Sequence, residues 1–74
     1  MKQEQTFESV KKDKEYIIFQ RESGTELGKY EVDEKNENMV LFGNLKRNDD
    51  FGLSIASIDF GNYEIFEIEG GVIL

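Results

Sequence analysis

The apolar residues of this chain arrive in short runs, and each run is cut off by turn residues before it reaches the length of a packing helix. Tyr16-Ile17-Ile18-Phe19 is the first, all aromatic or β-branched and so suited to a strand. Ser23-Gly24-Thr25 ends it as a turn. Leu27 follows, and then Tyr30 and Val32 alternate with Lys29, Glu31 and Asp33, the period-two pattern of a half-buried strand. Two such runs joined by a short Gly-containing loop predict an antiparallel hairpin. Lys35-Asn36-Glu37-Asn38 is a polar break suited to a type I turn. Met39-Val40-Leu41-Phe42 is apolar again and stops at Gly43-Asn44, so a second hairpin pairs roughly 29–34 with 39–43.

The last third, Phe51 to Leu74, holds most of the strong strand formers. Lys46 to Asp50 reads as the loop before it. Phe51, Leu53 and Ile55 alternate with Gly52 and Ser54; then the phase shifts, and Ala56, Ile58 and Phe60 carry the apolar positions. A one-residue slip of this kind predicts a β-bulge or sharp bend near Ala56. Gly61-Asn62 is a turn, Tyr63 to Glu69 a further strand, and Gly70-Gly71 a tight turn into Val72-Ile73-Leu74.

The fold class that follows is mainly β: a small antiparallel barrel or roll of five to six short strands, SH3-like in scale. Residues 1–14 are expected to form a short helix capped by Thr6, or a flexible tail or an edge strand, with Phe7 and Val10 as the anchors. An α+β roll with that helix on the sheet is the alternative. Phe19, Phe42, Phe51, Phe60 and Phe66 are the expected core, with Tyr16, Tyr30 and Tyr63 at its edge.

A chain of 74 residues makes one domain, 1–74, and a domain this small is marginal unless something helps it. Disulfides are excluded because there is no cysteine, and zinc or transition-metal sites would lack both preferred ligands because histidine is absent too. Oligomerisation or a partner remains as the helper. The longest apolar runs are far too short for a membrane span, and the first residues have no apolar signal-peptide core, so a cytoplasmic location is expected.

The net charge is −7, and the last third contains Asp59, Glu64, Glu67 and Glu69 but no Lys or Arg. That balance works against direct binding to nucleic acid or anionic membranes, since phosphate contacts need Lys and Arg. It permits attraction to a basic partner surface, or serves plain solubility.

Catalytic equipment is missing. The best nucleophile and the commonest base are absent, and Ser54 and Ser57 have no identifiable partner. Asp33-Glu34 and Asp49-Asp50 do not match the ligand spacing of a calcium loop, and Gly70-Gly71 is not a phosphate loop. The echo of Asp50-Phe51-Gly52 in Asp59-Phe60-Gly61 reads as two similar strand entries or as chance. No enzyme, cofactor or metal is expected.

The last long strand is the most suggestive. Glu64, Phe66 and Ile68 share one of its faces, and Tyr63, Ile65, Glu67 and Glu69 the other. Residues i and i+2 on a strand lie roughly 6.6 Å apart, so Glu67 and Glu69 would form a row of charges spaced much as phosphates are. The packing face is expected to carry Phe66 and Ile68, leaving the Ile65 face for a partner. The candidate partner-binding residues are Asp59, Tyr63, Glu64, Ile65, Glu67 and Glu69, with Tyr63 or Ile65 as apolar anchor. The expected function is a small acidic protein-interaction module that inhibits or modulates a partner by covering its basic, nucleic-acid-binding surface. A homo-oligomeric accessory domain is the alternative, and a nucleic-acid-binding small barrel using Lys11, Lys12, Lys14, Lys46 and Arg47 the third choice.

Overall fold

A computed structural model describes residues 3–74. The alternating runs become β1 (Glu15–Gln20), β2 (Glu26–Lys35), β3 (Met39–Asn44), β4 (Asp50–Ser54), β5 (Tyr63–Glu69) and β6 (Val72–Ile73). They form one antiparallel sheet in the order β4-β3-β2-β1-β5-β6. The first four strands meander; β5 then returns to the far side of β1 and carries β6 as a short hairpin arm. The chain is mainly β, as its sequence pattern requires. The sheet curls into a roll without closing into a barrel, since no ladder joins β4 to β5 or β6.

Two register shifts help to curl it. One falls at Leu27, opposite the step between Ile18 and Phe19, and the other between Val32 and Glu34. A bulged strand bends and twists more strongly. The ten residues of β2 therefore serve β1 with their first half and β3 with their second.

The concave side holds the core: Val10, Tyr16, Ile18, Tyr30, Val32, Val40, Phe42, Leu53, Ile58 and Ile65. An aromatic chain runs through it. Tyr16 meets Phe42 edge-on at 6.4 Å, Phe42 meets Tyr30 at 6.1 Å, Tyr30 meets Phe51 at 5.8 Å and Phe51 meets Tyr63 at 5.6 Å. Tyr16 and Tyr30 are thus core residues, not edge residues. Burying Tyr16 is permitted because the Lys11 N–H donates to its hydroxyl at 2.8 Å.

The predicted bulge near Ala56 is a helix. Ser54 stands at its N-cap in extended conformation, and its hydroxyl accepts the Ser57 N–H at 3.2 Å. α1 then spans Ile55–Asp59, with Ile58 turned into the core. The apolar phase slips because the period changes from two to 3.6. Phe60 is carried outward as a result and is 88% exposed, so it is not a core residue.

The predicted N-terminal helix is a single turn. Thr6 and Ser9 exchange hydrogen bonds, and Val10 N–H donates to the Thr6 carbonyl. Val10 is fully buried and Phe7 packs against the core, so both predicted anchors hold. Lys35 fixes the turn from below, with Nζ on the Val10 carbonyl at 2.8 Å and above the Phe7 ring. Among the described residues no helix is long and apolar enough to cross a membrane.

Candidate interaction surface

Strand alternation decides which side chains leave the core. On β1, Tyr16 and Ile18 point inward, so Glu15, Ile17 and Phe19 point to the outer face. The registers then place one row across the whole sheet: Asp50, Gly43, Glu31, Glu15, Ile68 and Ile73. The neighbouring row is Lys29, Ile17 and Phe66, and the next pairs Phe19 with Glu64.

This face has two halves. Over β1, β5 and β6 it is apolar: Ile17 and Ile68 are 6% and 4% exposed, and half-buried Phe19 and Phe66 meet edge-on at 6.0 Å. Over β2 to β4 it carries a band of acids, with Lys29 and the apolar Met39 and Leu41 beside it. Glu31 stands opposite Glu15, and the Asp33 carboxylate lies over Gly43, where a Cβ would overlap it. The bulge after Val32 puts Asp33 and Glu34 on the same outer side. Asp50 completes the band. Glu15, Glu31, Asp33 and Asp50 make no ion pair among the described residues, although Lys29 shares their face. Nor do three carboxylates converge closely enough there to hold a metal ion.

The six residues singled out from the sequence do not form one patch. Ile65 is 1% exposed and belongs to the core, so it cannot anchor a partner. Tyr63 packs against that core, with its ring on Phe51. The faces of β5 are therefore the reverse of the expectation: the Ile65 side packs inward, and Phe66 and Ile68 lie outside. The strand pattern is equally apolar on both sides, and only the β1 register distinguishes them. Glu67 lies on the core-side rim, 3.9 Å from Lys14. Glu69 is exposed beyond it. Glu64 is on the outer face and is paired with Arg21 at 3.6 Å. Asp59 accepts the Phe7 N–H at 2.8 Å and so fastens the N-terminal turn to α1.

Arg21 gathers the neighbouring loop. It pairs with Glu4 and Glu64 and donates to the Tyr63 and Gly61 carbonyls. Its hydrogen bond to Glu4 raises its pKa further. The Tyr16 hydroxyl is also pushed up, chiefly by burial and secondarily by the Glu67 charge, against the opposing Lys11 hydrogen bond.

Sequence reasoning missed Glu15, Glu31, Asp33 and Asp50 as a group. Each was visible as a polar position within or beside a strand, but their adjacency needs the pairing of four strands. Phe60 was missed for a different reason, and Ser54 ahead of Ile55 and Ile58 was the available signal for the helix that exposes it.

Comparison with protein-family models, with curated proteins and with solved structures finds no match to this chain.

Proposed function

We propose that this chain is a small acidic protein-binding domain that docks through the outer face of its sheet onto a basic surface of another protein. The observation that supports it is the Glu15–Glu31 pair. Like charges directly opposite on antiparallel strands destabilise a sheet. This pair is joined by Asp33 and Asp50, is uncompensated by ion pairs among the described residues, and borders the apolar strip of Ile17, Phe19 and Phe66. An arrangement that weakens the isolated domain suits one completed by a cationic partner. A partner surface that normally holds nucleic-acid phosphates has the required charge, and covering it would inhibit that partner.

The test is titration of the labelled protein with a peptide alternating Lys or Arg with Leu, read by amide chemical shifts. Perturbations are expected at Glu15, Ile17, Glu31 and Phe66. They should vanish in the combined Glu15→Lys, Glu31→Lys, Asp33→Lys variant and survive in Glu67→Lys, Glu69→Lys. Equal binding by both variants sinks the proposal.

A further inference from the structure

The two edges of the sheet are treated differently. The β5 edge is covered twice by the ends of the chain. Gln5 N–H donates to the Ile65 carbonyl at 2.7 Å and Glu4 bridges to Phe66, while β6 pairs with Ile68 and Glu69 and Leu74 N–H reaches the Glu67 carbonyl. The β4 edge has no such cover among the described residues: no backbone group of Asp50, Gly52 or Ser54 bonds to another strand or loop on its outer side.

The groups that are left can be named. Asn44 N–H donates to the Asp49 carbonyl and Leu45 N–H to the Lys29 carbonyl, so even-numbered residues of β3 face β4 and odd-numbered ones face β2. Phe42 and Val40 therefore exchange bonds with Phe51 and Leu53. Asp50, Gly52 and Ser54 turn their N–H groups to the other side, as do the carbonyls of Asp50 and Gly52. All three residues are exposed. Of the usual guards this edge has only its shortness and the Asp50 charge at one end, with no Lys, no Pro and no bulge in its ladder with β3.

We infer that β4 is a self-pairing strand through which two copies of this chain associate antiparallel about Gly52. A second copy fits because the register is self-complementary. With the two-fold axis between the two Gly52 residues, their N–H and carbonyl groups bond reciprocally. Each Ser54 N–H then meets the Asp50 carbonyl of the other copy. The Asp50 carboxylate lies opposite a Ser54 hydroxyl rather than its own counterpart, so no like charges face each other. Phe51 lies opposite Leu53 of the second copy. A single five-residue strand buries well under the roughly 1,200 Å² of a stable interface, so the dimer is weak and concentration-dependent. Two copies of charge −7 also repel, so added salt strengthens the association. Docking onto a basic partner has the opposite salt dependence, and the two ideas stand or fall separately.

The chain has no cysteine, which makes single-cysteine cross-linking of the full-length protein clean. Paired residues of this kind lie about 5.5 Å apart at Cα, within disulfide range. Gly52→Cys is expected to form a disulfide dimer on mild oxidation, several-fold faster than the exposed control Val72→Cys. Asp50→Cys should cross-link poorly alone but readily when mixed with Ser54→Cys. In sedimentation velocity the wild-type protein should shift toward dimer as concentration and salt rise. Gly52→Pro, which removes only an outward N–H, should stay monomeric with an unchanged circular dichroism spectrum. If it fails to fold, the cysteine series decides. A wild-type monomer at every concentration and salt, or Gly52→Cys cross-linking no faster than Val72→Cys, overturns the inference.

Discussion

Glu15 of β1 and Glu31 of β2 are direct cross-strand neighbours on the outer face, two like charges in a position where opposite charges would stabilise the sheet. Cross-strand pairs contribute roughly 0.2–1 kcal/mol, with the sign set by the charges. Glu31→Lys is therefore expected to stabilise the isolated domain by up to about 1 kcal/mol, read as a higher urea midpoint at unchanged slope. The same variant should lose affinity for a basic partner. Stability gained together with binding lost would mark the pair as functional; a fall in stability would remove the physical basis for the proposal.

Phe60 and Phe42 form a contrasting pair. Phe42 is fully buried at the junction of the aromatic chain, while Phe60 is 88% exposed at the end of α1. Phe42→Ala should cost about 3–5 kcal/mol. Phe60→Ser should stay within about 0.5 kcal/mol of wild type. Thermal unfolding of both checks the helix assignment directly, because a β-bulge at Ala56 would have buried Phe60 and made its loss costly.

Gly61 and Gly52 separate in the same way. A Cβ at Gly61 would overlap the Ser57 backbone at the tight exit from α1, whereas one at Gly52 crowds the flexible Cε of Met39 and meets Leu41 at ordinary contact distance. Gly61→Ala is expected to destabilise by about 1–3 kcal/mol, as overpacking does. Gly52→Ala should be nearly neutral. Denaturant titration of the two variants distinguishes them, and equal effects would mean that α1 leaves the sheet by another path.

Tyr16 gives the fold an alkaline limit. Its folded pKa is raised above the ordinary value of 10.0, mainly by burial and further by Glu67. The folded state thus holds its phenolic proton longer than the unfolded chain does. This contribution is fully present below the unfolded pKa and is lost as pH rises through the folded one. Stability should fall from about pH 10 upward, and Tyr16→Phe should flatten that fall. The variant should also cost about 1 kcal/mol near neutrality, through the lost Lys11 hydrogen bond. Melting temperatures across alkaline pH test both halves.

Much of the fold was legible because strands announce themselves locally. Tyr63–Glu69 has the bounds its residues imply, and the hairpins that join β1 to β2 and β2 to β3 are where the turn residues put them. The surface was far less legible. Asp33 and Asp50 are distant in the chain, and both come to Gly43, one by a bulge and one by pairing. Nothing local to either residue records that meeting.

By itself the sequence determined most of the strand segments, the turns between them, the charge, and the lack of thiol and imidazole chemistry, but not the change from strand to helix at Ile55–Asp59. These depend on short-range sterics and residue identity. Only the tertiary structure decided which side of each strand became the inside. Val10, Ile58 and the aromatic chain fill one concave side, and the register of β1 against β2 and β5 assigns every remaining side chain to the other. A period of two leaves both faces open until strands pair, and for β5, apolar on both sides, pairing alone chose Ile65 for the core and Phe66 for the surface.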